Sequence, residues 1–324
     1  MKTEEPVSVK QINLERIRNY MEKMDSASKS QIARELGLSF PTIGRLVDEL
    51  CATGELLEQG AGTSTGGRCA CFYQLNPRYH LYLLVQIESA RMCWNLKDAR
   101  ECLIEQGEIP FSILPLEKLD ALIRDITGRF THLRAISIGI AALMSHGVVT
   151  ETTQYKHLLG MNLQAHAEQL TTVPVVVEND MNFLTMGCWS RKHLSSGSLV
   201  TFFLGGNGLG GGMVIDGKLW TGASGYCSEV SFLPLCQQYM PGAKGVPEEG
   251  DFCELYARLI QTYAVTLNPH MVVLYHDPVL EGKMDQIRCR CSQLIPAKAI
   301  PSIELSPDYQ EDYEKGLFAV ARSL

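Results

Sequence analysis

The chain has 324 residues, 45% of them hydrophobic and 20% charged, with a formal net charge of −7 at pH 7. That length accommodates two or three domains with buried cores, and the acidic balance argues against a non-specific polyanion binder without excluding a small local DNA-binding face. No run approaches 18 apolar residues and the opening MKTEEPVSVK lacks an apolar signal core, so the expectation is a cytoplasmic protein with no membrane partner. The eleven cysteines are odd in number and scattered through apolar runs, as reduced core thiols are. Two C-x-C pairs, Cys69/Cys71 and Cys289/Cys291, lack the two-residue ligand spacing of a structural zinc site, and no metal is expected.

In chain order, Asn13 to Met24 places Leu14, Ile17, Met21 and Met24 on one helical stripe. Ser28 precedes KSQIAREL, which Gly37 ends; Ser39 precedes FPTIGRLVDELCATG, with Pro41 in the first turn and Gly54 closing it. Two short helices separated by Gly-Leu-Ser, the second opening on a capping serine, read as a helix-turn-helix. Glu55 to Glu58, a polar tip and Cys69 to Leu75 add a two-stranded wing. Residues 1–77 are therefore expected to form a winged helix-turn-helix that binds operator DNA. Its candidate contacts are Ser39, Phe40, Pro41, Thr42 and Arg45 at the start of the second helix, with Arg68 after Gly66-Gly67 in the wing. A protein-contact role is the alternative, because residues 1–77 hold nine Lys/Arg against ten Asp/Glu.

After Asn76-Pro77 strands and helices alternate. Strand patterns span Leu81 to Ile87, Met92 to Leu96, Cys102 to Gln106, Ala135 to Ile140 and Val173 to Val177. Helix patterns span Leu116 to Leu133 and Asn162 to Leu170, and another begins near Asp180. A second half repeats the scheme with strands at Leu199 to Leu204, Gly212 to Ile215 and Met271 to Tyr275, and helices at Phe252 to Leu267 and Lys283 to Gln293. The last helix, Asp312 to Leu324, is expected to return to the first half. The reading is an α/β fold of two lobes, 78–180 joined by 308–324 and 181–307, with ligand at the strand carboxyl ends between them.

Between Gly205 and Gly225 nine residues are glycine. Such a stretch reads as backbone approaching a phosphate or sugar, or else as tight hairpin turns, with IDGKL the clearest Asp-Gly signal.

The succession of a winged helix, VVVENDMNFLTMG and GNGLGGGMVIDGKLWTGASGYCSEV resembles the ROK family of bacterial repressors and sugar kinases. SFPTIGRLVDEL followed by GGR is similar to its repressor branch. The resemblance covers essentially the whole chain and implies a two-lobed actin/hexokinase-like (ribonuclease H-like) domain, commonly oligomeric, that binds a sugar or sugar phosphate in its cleft. It implies that Asn179, Asp180, Glu229 and Glu254 contact sugar hydroxyls, and that Ala142 offers a backbone N–H from the pocket wall. Asp180 matches the general base of kinase members; its alternative role is a cap on the following helix.

The departures from the family pattern bear on chemistry. Where kinase members carry D-x-G-x-T to bind ATP phosphates, this chain has Gln86-Ile87-Glu88-Ser89-Ala90, and Glu88 puts negative charge where phosphates would lie, so the glycine-rich stretch is expected to be chiefly a scaffold that places Glu229 in a sugar pocket and shapes the cleft. Where the family has E-x-G-H and a cysteine cluster for structural zinc, the chain reads Glu229-Val230-Ser231-Phe232. The G-x-P-G loop appears as Gly139-Ile140-Ala141-Ala142, and the segment between Glu254 and Asn268-Pro269 is short, so that part of the helical region usual in the family is expected to be missing there. The expected function is a repressor, a homodimer or homotetramer, with no cofactor and no catalytic activity. The alternatives are a sugar kinase and a ligand-independent DNA-binding oligomer.

Overall fold

Local signals in the first 80 residues are strong enough to dictate their own structure. The computed structural model of the protein describes residues 9–61, 71–88, 90–205, 208–239 and 251–324. Met1–His80 with Asp98–Arg100 form one compact unit, and Leu81–Lys97 with Glu101–Leu324 form another.

In the first unit α1 (Val9–Met21) buries Leu14, Ile17 and Met21. The helix stops at Met21, so Met24, expected on the same stripe, lies outside it and is exposed. A short strand β1 (Ala27–Ser28) leads into α2 (Lys29–Leu36) through a reciprocal cap. Ser28 Oγ accepts the Gln31 N–H while Gln31 Oε1 accepts the Ser28 N–H at 2.8 Å. Gly37, at φ 64°, ends that helix. Helix α3 (Phe40–Ala52) starts from Ser39, whose side chain accepts the Thr42 N–H, and turns Ile43, Leu46, Val47 and Leu50 inward. Strands β2 (Leu56–Ala61) and β3 (Cys71–Leu75) pair antiparallel, with Leu56 opposite Leu75, and β1 joins the other edge of β3. The three helices and this ribbon enclose one small core and make the expected winged helix-turn-helix.

The second unit contains two five-stranded sheets. The first has the order β10-β7-β4-β5-β6 and is built from β4 (Leu81–Glu88), β5 (Arg91–Asp98), β6 (Leu103–Pro110), β7 (Leu133–Ile140) and β10 (Val175–Asn179). Strands β4, β7 and β10 run parallel. Helix α4 (Leu116–Arg129) buries Leu119, Leu122, Ile123 and Ile126 in this lobe's core. Hairpin β8 (Leu143–Ser145) and β9 (Val148–Glu151), then α5 (Leu163–Glu168), connect β7 to β10. Strand β10 begins two residues later than its sequence pattern and runs on to Asn179, with Pro174 just ahead of it.

The second sheet repeats the plan in the order β13-β12-β11-β14-β15. Its strands are β11 (Ser198–Gly205), β12 (Gly208–Ile215), β13 (Lys218–Leu219), β14 (Met271–Tyr275) and β15 (Ser302–Ser306). Strands β11, β14 and β15 are parallel and β12 and β13 antiparallel. Between them lie α6 (Asp180–Arg191), α7 (Pro234–Tyr239), α8 (Phe252–Thr266) and α9 (Met284–Leu294); α10 (Tyr309–Arg322) ends the chain. Among the described residues no helix is long and apolar enough to cross a membrane.

Helix α6 lies on β11 and β12, while α10 returns to lie on β4 and β7. The two helices pack against each other, and glycine makes their approach possible. A Cβ on Gly187 would sit 1.6 Å from the carbonyl oxygen of Asp312, and one on Gly316 1.7 Å from that of Phe183. Beside this crossing Asp312 is fully buried, gripped by the Arg191 guanidinium at 2.5 and 2.8 Å and by the Tyr275 hydroxyl at 2.6 Å.

Candidate effector cleft and nucleic-acid interface

The glycine-rich stretch does not act chiefly as a phosphate cradle. Gly208, Gly210, Gly211 and Gly212 are part of strand β12, and the missing side chains of Gly210 and Gly212 let α6 lie close on it. A Cβ at Gly210 would meet Met181 Cγ at 2.7 Å, and one at Gly212 would fall 1.9 Å from Thr185 Oγ1. On the other face, a Cβ at Gly211 would lie 2.8 Å from the Ser228 carbonyl oxygen. These contacts hold the N-terminus of α6 against the second sheet.

That N-terminus forms the floor of a cleft of about 380 Å³ between the sheets. The parallel strands deliver Glu88, Ala141, Ala142 and Asn179 from their carboxyl ends, and α6 begins with Asp180. Glu151 ends β9, and Thr152 and Thr153 follow it. Across from them stand Phe203, Gly205, Gly208 and Gly210 of the β11/β12 hairpin, Glu229, Ser231 and Phe232, and Tyr309 from α10.

The cap on α6 belongs to Asn179, not to Asp180. Asn179 Oδ1 accepts the N–H groups of Met181 at 2.8 Å and Asn182 at 3.3 Å, and its amide donates to the Ala142 carbonyl at 2.9 Å. Asn179 therefore ties strand, helix and pocket wall together and keeps one amide hydrogen for a ligand. The Ala142 N–H, expected to face a ligand, instead donates to the Ile140 carbonyl at 2.8 Å. Asp180 is half-buried and accepts the Met181 N–H at 2.9 Å. Burial outweighs that hydrogen bond, and Glu88 and Glu229 add repulsion, so its carboxyl is pushed up to about 7. Burial pushes Glu229 up to about 7 as well. Behind them Glu178 is also raised by burial, against hydrogen bonds from the Asn179 N–H and the Asn182 amide.

Glu254 is a correction to the sequence reading. It lies in the first turn of α8, where Arg258 at 2.8 Å and Arg290 at 3.3 Å hold its carboxylate, and it does not line the cleft. Two residues without a motif take part instead. The Tyr309 hydroxyl donates to Glu88, and its ring stacks on Phe203 with centroids 4.4 Å apart and planes 14° apart. Neither carries a local signal, because the stack joins residues of two different lobes. Gln86, from the same strand end as Glu88, accepts the Gln310 amide at 2.6 Å.

Phe232, at the position that the resemblance gives to a zinc-binding histidine, has no metal-ligating side-chain atom. Cys289 is exposed and Cys291 buried on α9, pointing to different environments; Cys69 lies outside the described residues.

In the winged unit Ser39, Phe40, Pro41 and Arg45 are exposed at the start of α3, and Thr42 is half-buried with its hydroxyl 2.8 Å from Ser39 Oγ. Ser39 and Thr42 are thus engaged in the cap, while Phe40 is 56% exposed. Three of the ten acids, the ones on or just after α3, are paired within the unit. Asp48 pairs with Lys29 at 2.5 Å, Glu49 with Lys10 at 2.7 Å, and the buried Glu55 with Arg18, whose Nη2 donates at 2.9 Å. Arg45 has no acidic partner among the described residues. Arg68 lies outside the described residues.

Residues 114–243 match the ROK family model. Ahead of it, residues 13–80 match the model of FeoC like transcriptional regulators. The chain is similar to a xylose repressor of Staphylococcus xylosus, 26% identical over 239 residues that make up 67% of this chain and 59% of that protein. The match thus spans less than two thirds of that relative's length. Among solved structures, a ROK family transcriptional regulator described as a homolog of the E. coli MLC protein superposes with a TM-score of 0.63 at 17% identity, over 97% of this chain and 96% of the other. A ROK family glucokinase from Streptomyces griseus in complex with glucose and AMPPNP superposes with a TM-score of 0.52 at 18% identity, over 75% of this chain and 100% of the other. These likenesses carry the fold: an N-terminal winged helix-turn-helix followed by a two-lobed α/β domain.

Proposed function

We propose that the chain is a transcriptional repressor that binds operator DNA through its winged helix and senses a sugar in its ROK domain without phosphorylating it. The observation that carries this reading is the free start of α3, where Phe40, Pro41 and Arg45 are exposed while the neighbouring acids are each paired to a base. Phe40 offers an apolar contact to a thymine methyl and Arg45 a donor to a base edge or phosphate. Arg68 is assigned to the wing from sequence alone.

The effector is a sugar, with xylose as the first candidate because relatives of the chain are named xylose repressors. Asp180 and Glu229 accept hydroxyl protons in hydrogen bonds, and Asn179 supplies its remaining amide hydrogen. Two copies of the chain place two winged helices on two half-sites, and cleft closure changes their spacing. A 100-fold difference in sugar affinity between the two shapes supplies about 2.7 kcal/mol of coupling.

Phosphoryl transfer is opposed by the cleft's own charge. Phosphoryl transfer depends on positioning and charge neutralisation, whereas Glu88 is fixed in the cleft by the Tyr309 hydroxyl. Asp180 is retained here as a sugar ligand.

Selection from a random DNA pool with the purified chain, with and without sugars, tests the proposal: enrichment of one sequence and its modulation by a sugar are expected. Failure to enrich any sequence overturns DNA recognition. Sugar-dependent ATP consumption that disappears in Asp180→Ala would establish a kinase instead. Enrichment that no sugar modulates, with no thermal shift by any sugar, would leave a ligand-independent DNA-binding oligomer.

A further inference from the structure

The described lining of the cleft has an uneven chemistry. It carries four carboxylates, Glu88, Glu151, Asp180 and Glu229, and no lysine, arginine or histidine. Opposite the floor it presents the ring of Phe232, 58% exposed although it lines a cavity. Phe232 closes the short 3-10 turn Val230–Phe232, and its N–H donates to the Glu229 carbonyl at 3.1 Å. One tight turn therefore sets both the aromatic ring and the Glu229 carboxylate. The Tyr226 ring stands beside Phe232, with centroids 6.1 Å apart and planes at 50°.

We propose that the cleft takes an unphosphorylated sugar with its C–H face laid on Phe232, and excludes the phosphate esters of that sugar. This inference rests on the reading of the cleft as a sugar site. A sugar ring has an apolar face and a rim of hydroxyl donors, which matches an aromatic wall beside carboxylate acceptors. Phe232 stays more than half exposed, and a stacked sugar face removes part of its ring from water. A phosphate brings about −1.5 to −2 charges at neutral pH. In this cleft it would face several carboxylates with no described cation to offset them, and partial exclusion of water strengthens the repulsion. The family's histidine position has thus become the specificity-determining wall of this chain.

Isothermal titration of the full chain with D-xylose and D-glucose, each beside a phosphate ester, D-xylose 1-phosphate and D-glucose 6-phosphate, tests the inference. At least one free sugar is expected to bind, with its ester at least tenfold weaker. Phe232→Ala should weaken the free sugar at least tenfold and Phe232→Tyr by less than threefold. Both variants should melt, without sugar, at the wild-type temperature, which separates loss of stacking from loss of fold. An ester that binds as tightly as its sugar, or a Phe232→Ala protein with unchanged affinity, overturns the inference and leaves the sugar site standing. Silence from all four ligands overturns the sugar site itself, and the inference with it.

Discussion

Replacing Gly316 by alanine places a methyl carbon 1.7 Å from the carbonyl oxygen of Phe183 in the facing helix. Neither partner is a flexible side-chain tip, so α6 and α10 must part by more than about 1 Å, and interhelical dispersion contacts weaken along the crossing. Overpacking of this kind costs about 1–3 kcal/mol and more when backbone must move; roughly 3 kcal/mol corresponds to a fall of about 5 to 10 °C in a domain of this size. Gly187→Ala, 1.6 Å from the Asp312 carbonyl oxygen, should behave alike. Gly128→Ala is the control: it lies in α4 with nothing within 4 Å of the new methyl. There the better helix propensity of alanine should stabilise by about 0.5 to 1 kcal/mol. Scanning fluorimetry and urea titration at pH 7.5 measure all three. Because Asp180 opens α6, Gly316→Ala should also weaken sugar binding. A Gly316→Ala protein that melts within a degree of wild type would refute the account of the crossing.

Asp180→Asn should raise the melting temperature at pH 8 and leave it unchanged at pH 4. The folded-state carboxyl is raised to about 7, so the native chain holds a proton that the unfolded chain releases between about pH 4 and 7. Stability from this group is therefore fully present below pH 4 and lost as pH rises through 7, a loss on the order of 1–4 kcal/mol that asparagine avoids; equal melting of the two proteins at pH 8 would contradict this. Asp312→Ala strands the Arg191 charge beside Tyr275 and should cost about 3–5 kcal/mol, and chemical denaturation giving a loss below 1 kcal/mol would show the cluster to be incidental. Arg45→Ala should weaken binding to the selected DNA by about 1–3 kcal/mol in fluorescence anisotropy, with unchanged melting; retained affinity would remove Arg45 from the interface.

The winged helix was legible because its determinants are local. Ser28, Gly37, Ser39 and Pro41 each act within one turn, and their helices start and stop where the residues say. The two-residue strand β1 carries no period to detect; β15, whose SIELS alternates as a half-buried strand does, was missed although its signal is present. The cleft was legible only where a motif coincides with a strand end, as at Asn179-Asp180 and Glu229. Glu254 follows the motif order in sequence but is turned to Arg258 and Arg290 at the start of α8. The glycines of β12 looked like ligand approach because an absent side chain records closeness without naming the neighbour, here Thr185 and Met181 of α6. Tyr309 and Phe203, more than 100 positions apart, meet only once both lobes exist.

The internal pairing of Lys10, Arg18 and Lys29 with Glu49, Glu55 and Asp48 sets how an operator complex would respond to ionic strength. Cations already matched to carboxylates release few condensed counterions when DNA arrives, and the slope of log K against log[salt] is close to −0.9 for each phosphate neutralised. With these lysines and arginines committed to holding the unit together, binding through it should lose little affinity between low and moderate salt. Its discrimination between sequences would come from the few side chains that touch base edges, and weak attachment to bulk DNA would keep such a repressor from being titrated away by the rest of a genome.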